Sequence, residues 1–147
     1  MQFSVVRERI AAAASNVVMP AGAPELVCTG YVPDGVTAPC FFVAEFDVEY
    51  DKAFRRGMDS ADFTARVLVG RADDKSAQQI LDSLLSGSGT GSLKTAIEAA
   101  RGAPGEAALG GAAADLHVRR VQGYRWYEHN GTQYVGAELI IHVIGSG

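Results

Sequence analysis

Asn130-Gly131 stands between two long runs of strand-forming residues, Leu116 to His129 and Thr132 to Ile144. Asn-Gly supplies two residues that accept positive φ, which a two-residue turn matched to strand twist requires. A chain that ends in one long antiparallel hairpin must build the rest of its fold around a sheet. Leu116 and Val118 share a strand face but Val121 does not. A bulge near Gly123 would reconcile them. Leu139-Ile140-Ile141-His142-Val143-Ile144 is apolar on both faces, the pattern of a central strand.

The rest of the chain alternates between the two hydrophobic periods. Phe3, Val6, Ile10, Ala13, Ala14 and Val17 recur at helical spacing until Pro20 and Pro24 interrupt it. Glu25 to Tyr31 reads as a short strand closed by the turn residues Pro33-Asp34-Gly35. From Cys40 onward, Phe42, Ala44, Phe46, Val48 and Tyr50 are expected on one apolar face, with Glu45, Asp47 and Glu49 as an acidic stripe on the other. A polar connection from Asp51 to Ser60 carries Phe54, Arg55, Arg56 and Gly57, and leads into a strand with Phe63, Ala65, Val67 and Val69 on one face.

Asp73 and Asp74 are N-cap candidates for a helix whose inner positions are Ala77, Ile80, Leu81, Leu84 and Leu85. After the Gly87–Gly91 linker, Ser92 can cap a further helix with Leu93, Ala96, Ile97 and Ala100 inside, stopped by Gly102 and Pro104. Residues 102–114 are almost all Gly, Ala and Pro. A connection of that length is either mobile or held by an external partner. The order predicts one α+β domain over residues 1–147, its helices packed on a mostly antiparallel sheet.

Composition narrows the function. With 48% hydrophobic and 20% charged residues, the chain is too apolar for a wholly disordered one. Its net charge of −4 leaves no basic footprint for reading nucleic acid. No apolar run approaches the ~18–20 residues that span a bilayer. Arg7, Glu8 and Arg9 fall where a secretory apolar core would lie, so export is not expected. In an unexported chain Cys28 and Cys40 are expected as free thiols.

Motifs for catalysis are sparse. Lys94-Thr95 follows the glycine linker, but Ser92-Leu93 displaces the lysine from the phosphate-loop position and the linker follows a helix. Alternate residues on a strand lie ~6.5–7 Å apart. Glu45, Asp47 and Glu49 therefore cannot close on one ion at bonds of ~2.3–2.6 Å, and a solvated or channel-facing stripe is the better reading. His117, His129 and His142 belong to no short ligand motif. A dyad of Cys28 or Cys40 with a histidine is conceivable, but spacing does not show it. No cofactor and no metal is expected. Tyr124, Trp126, Tyr127 and Tyr134 interleave with Arg119, Arg120 and Arg125 near the hairpin tip. That composition suits a protein interface, and equally suits cross-strand pairs that only stiffen a hairpin.

Taken in order, the pieces resemble the tail terminator (tail-completion) proteins of long-tailed bacteriophages. The resemblance is carried by the Phe3-to-Ile10 helix, the strand ending Val48-Glu49-Tyr50-Asp51, the following Ala53-Phe54-Arg55-Arg56-Gly57 and Val67-Leu68-Val69-Gly70. Ser76 to Asp82, Ser92 to Glu98, Leu109-Gly110-Gly111 and the terminal hairpin continue it. It implies a non-enzymatic virion protein at the head-proximal end of the tail, assembled from the host cytoplasm. Six copies would form a ring that caps the tail tube, stops its polymerisation and meets the head–tail connector or stopper protein. Double-stranded DNA would pass through without specific binding, and no membrane is involved. Phe54, Arg55, Arg56, Tyr124, Arg125, Trp126, Tyr127 and Tyr134 are then the interface candidates. Glu45, Asp47 and Glu49 are candidates for the channel wall. Another head–tail joining or tail-tube protein, or a small-molecule-binding α+β dimer, are the alternatives.

Overall fold

The computed structural model describes residues 1–50, 57–71 and 75–146. Phe54, Arg55, Arg56 and the proposed caps Asp73 and Asp74 lie outside the described residues. Helix α1 spans Phe3–Ala14, and strands β1, β2 and β3 span Val27–Thr29, Cys40–Glu49 and Met58–Arg71. Helices α2, Lys75–Leu84, and α3, Leu93–Glu98, follow, and the chain closes with β4, Asp115–His129, and β5, Thr132–Ser146. The five strands form one sheet in the order β1-β2-β3-β5-β4. Among the described residues, only the β1–β2 pair is parallel. This is the α+β architecture the sequence predicts, with β5 inside the sheet and β4 at its margin.

All three helices pack on one face. Val6, Ile10 and Ala14 from α1, Ala77, Leu81 and Leu84 from α2, and Leu93 and Ile97 from α3 meet alternate residues of the strands in one core. Phe63 lies at its centre, fully buried, with its ring centroid 5.0 Å from Phe46 and 6.5 Å from Phe3. The Ser92 hydroxyl caps α3 by accepting from the Thr95 N–H at 3.2 Å, as expected. Asn130 and Gly131 take φ of 51° and 81°, the left-handed pair a tight hairpin turn needs.

Three expectations need correction. The first concerns β2, where a bulge between Val43 and Glu45 switches the parity of the strand. Phe41 and Val43 share the helix-side core with Phe46 and Val48, while Phe42 points to the other face. Tyr50 lies beyond the strand and is exposed. The extra residue keeps the apolar side chains inward across the kink.

The second concerns residues 102–114, of which the latter half is internal. Ala108, Leu109 and Ala113 are buried, Ala108 and Ala113 bridge each other, and Arg9 donates to the Leu109 carbonyl at 2.6 Å. The third concerns the tip aromatics, which do not form one cluster. Tyr127 is buried opposite Tyr134 on the helix-free face, whereas Trp126 lies opposite Val135 on the helix side. Tyr127 is therefore a core residue of that second face, not an exposed anchor.

Candidate functional site

The helix-free face of the sheet is where the charged side chains gather. At one end a small apolar cluster, Cys40, Phe42, Leu68 and Tyr127, is covered by Val36 from the loop before β2. Asn130 at the hairpin tip donates to the Asp34 carbonyl of that loop at 2.6 Å, tying the two together. The Tyr127 hydroxyl donates to the Gly123 carbonyl at 2.6 Å. Gly123 has φ of 64° in the bulge between Gln122 and Arg125, and a Cβ there would strike that hydroxyl. The expected bulge near Gly123 is thus pinned by a tyrosine, and a second one lies between Val118 and Arg120.

The ladder registers arrange this face in rows. One row runs Phe42, Arg66, Glu138, Gln122 across four strands. Glu138 is buried and accepts from Arg66 at 2.7 Å and from Gln122 at 3.4 Å. The Arg66 guanidinium also lies over the Tyr127 ring, 4.7 Å from its centroid. Burial, and then the nearby Glu138 charge, push the Tyr127 hydroxyl above the usual tyrosine value.

The next rows run Glu45, Thr64, Ile140, Arg120 and Asp47, Asp62, His142, His117. In the second, His142 Nδ1 lies 2.8 Å from Asp62 and its Nε2 3.4 Å from the Ser60 hydroxyl. Arg119 reaches the same Asp62 carboxylate at 3.2 Å. Partial burial raises the Asp62 pKa, but the His142 and Arg119 bonds outweigh it and the net shift is downward. Ser60, His142 and Asp62 repeat the order of a serine-nucleophile relay. Here they sit on an open sheet face, and β3 is paired on both sides, so its backbone N–H groups are engaged in ladders and offer no oxyanion site. The arrangement is a charge network that ties β3 to β5 and β4.

His117 packs against His142 with ring centroids 5.3 Å apart. Burial, and then the His142, Arg101 and Arg119 charges, lower its pKa, against a smaller opposing effect of Asp115. An unfolded histidine titrates near ~6.5. Between that value and the lower folded one, the unfolded chain holds a proton that the folded chain does not. Stability therefore falls as the pH drops through this window. Urea midpoints between pH 7.5 and 5.5 should decline for the natural chain, and His117→Gln should flatten the decline. An unchanged slope in the variant would remove His117 from this role.

The cysteines do not meet a histidine in a site. Cys28 is half-buried on the helix side and Cys40 is buried on the opposite face, both free. Burial pushes their thiols up to about 12 and about 11, so both are protonated at neutral pH. Among the described residues, no group of His, Cys, Asp or Glu is placed to hold a metal ion. A cleft of about 770 Å³ is walled by Arg101 to Ala107, Ala114 and Asp115. Its Arg101 and Asp115 are paired with each other at 2.7 Å, and no serine or cysteine lines it.

The margins of the sheet are the exposed parts. Glu45, Asp47 and Glu49 all face solvent on β2. Beyond Phe42 no strand pairs with the outer edge of β2 among the described residues; Arg7 donates to the Val43 carbonyl at 3.0 Å, at the start of that edge. On β4, Arg119 to Gln122 and Tyr124 to Trp126 are exposed, with Trp126 at 62%. Among the described residues, no helix is long and apolar enough to cross a membrane. No protein-family model matches the chain, and no curated protein matches it significantly.

Proposed function

We propose that the protein is a structural ring subunit, a tail terminator that caps a phage tail tube. The observation that carries this is the long, exposed β4 margin. A strand of fifteen residues with Val121, Tyr124 and Trp126 in solvent is a surface that associates. The resemblance across nearly the whole chain supplies the kind of association. Helices cover one face of the sheet, and the other face, the β4 margin and the loops are left for contacts with neighbouring copies, the tube and the head connector. A closed ring built from one repeated heterologous contact would use them. The ring stops tube growth by occupying its last layer and leaves a channel for DNA.

The purified protein is expected to be a monomer in equilibrium with a six-fold ring. Native mass spectrometry and class averages of negatively stained particles measure this directly. A stable dimer as the sole assembly would end the ring reading and favour the small-molecule-binding alternative.

A further inference from the structure

The helix-free face is charged asymmetrically. Its β2 margin carries Glu45, Asp47 and Glu49; its β4 margin carries Arg119, Arg120 and Arg125. The two margins are separated by β3 and β5, about 14 Å of sheet at ~4.8 Å per strand. Arg119 is already held by Asp62 within the chain. Arg120 meets the Gln122 side chain and Arg125 stacks over Tyr127, so both are turned to neutral groups. A second copy of the chain is the occupant whose charges match both margins at once.

We propose that successive copies join head to tail, the arginine margin of β4 in one copy docking on the acidic margin of β2 in the next. This rests on the ring reading above and names its contact. The row geometry supports it. Glu45 and Arg120 stand at the two ends of one row. Glu49 lies in the row of Ile144 and Arg125 in the row of Gly136, so the two stripes have similar length and overlap at the row of Ile140. Sliding one copy by two rows, ~13 Å along the strands, in the sense that brings Arg125 level with Glu45 also brings Arg120 level with Glu49.

Apolar area is present on both sides. Val121, Tyr124 and Trp126 are exposed along β4 on its helix-side face, across the strand edge from the arginines, and Tyr50 is exposed just beyond the acidic stripe of β2. The bulges at Val118/Arg120 and Gln122/Arg125 interrupt the even spacing that strand addition needs. Side chains, not a continued ladder, carry the contact. A head-to-tail contact of this kind is heterologous, so it closes into a ring when its rotation permits. It also gives the acidic stripe a use other than lining a channel, on a face where Arg66 and the β4 arginines already dilute a purely repulsive wall.

The test reverses each margin in the full chain. One variant carries E45K and D47K, the other R120E and R125E, and circular dichroism with thermal melting confirms that each stays folded. Sedimentation velocity and native mass spectrometry then follow assembly at equal concentration in low salt. Each variant alone should lose at least tenfold in assembly, because like margins now face each other. An equimolar mixture should recover rings in which the two variants alternate, giving an even copy number. A single chain carrying all four substitutions should assemble by itself. Rings formed by both single-margin variants alone, or mixtures that stay apart, overturn the contact while the ring stands. If E45K/D47K rings form normally but particles built with them release DNA slowly, the stripe lines the channel. If the natural chain never assembles, the ring reading fails first, and the contact falls with it.

Discussion

Phe63→Ala should cost about 3–5 kcal/mol, the range for removing a large aromatic from a core that cannot collapse around the gap. Phe63 is fully buried in the middle of β3, and its ring stands against Phe46 of β2 and within 6.5 Å of Phe3 in the first turn of α1. The vacancy would open where helix and two strands meet. α1 would lose apolar area and the tilted Phe3–Phe63 ring contact, and its N-terminal turn would be seated by the Phe3–Phe46 contact alone. A loss of this size is a large fraction of a typical domain stability of ~5–15 kcal/mol. Urea denaturation followed by circular dichroism would show it as a fall in midpoint with little change in slope. Phe63→Leu, which keeps most of the volume, should lose much less. Similar losses for both variants would mean that aromatic geometry, not cavity volume, dominates the site.

Arg66→Met should destabilise by about 3 kcal/mol, chiefly through what it leaves behind. Glu138 is buried, and its strongest partner is the Arg66 guanidinium at 2.7 Å; Gln122 supplies a longer bond of 3.4 Å. Removing the cation strands a carboxylate in a poorly solvated position and also removes the contact over Tyr127. Removing both charges is a different case, because the desolvation of the pair is relieved as well. Among the described residues, Arg66 Nε is buried without a hydrogen-bond partner, so the pair is imperfectly satisfied even in the folded protein. Arg66→Met combined with Glu138→Leu should therefore recover most of the loss. The double-mutant cycle, read from denaturant midpoints, decides it. A double variant as weak as Arg66→Met alone would show that the aliphatic stem of Arg66 and its packing, not the charge, hold this row.

Much of the sheet is written in local chemistry. Asn130-Gly131 dictates the hairpin and its register, and that register already places Tyr127 opposite Tyr134 and Trp126 opposite Val135. The alternation of strand faces therefore separates Tyr127 from Trp126 before any packing is known. The β2 bulge also left a trace. Cys40-Phe41-Phe42-Val43 is apolar at every position, then alternation begins at Glu45. Four consecutive apolar residues require cover on both faces. An unbroken parity would set Phe42 beside Phe46, whereas the extra residue sets them on opposite faces.

The segment from Ala108 to Ala113 had no such trace. Small residues without periodicity carry no sign of burial, and its anchors are remote. Arg9 reaches it from α1, across a hundred positions of sequence. The Asp62, His142, His117 and Arg119 network is equally remote in sequence, assembled by the pairing of β3, β5 and β4. Each residue is visible as a polar position on a strand, but their adjacency depends on which strands become neighbours.

By itself the sequence determined the elements, the hairpin register, the cap of α3 and the α+β class, because these depend on hydrophobic period, turn chemistry and hydrogen bonds made within a few residues. Tertiary structure alone decided the strand order, which face the helices cover, and hence which charges share a margin. Those follow from long-range pairing, where one polar strand face looks like another until packing buries its opposite side. The acidic stripe was legible as a stripe, whereas Arg119, Arg120 and Arg125 share a face only through the two bulges of β4. Their positions at opposite edges of one sheet were settled only when β3 and β5 came between them.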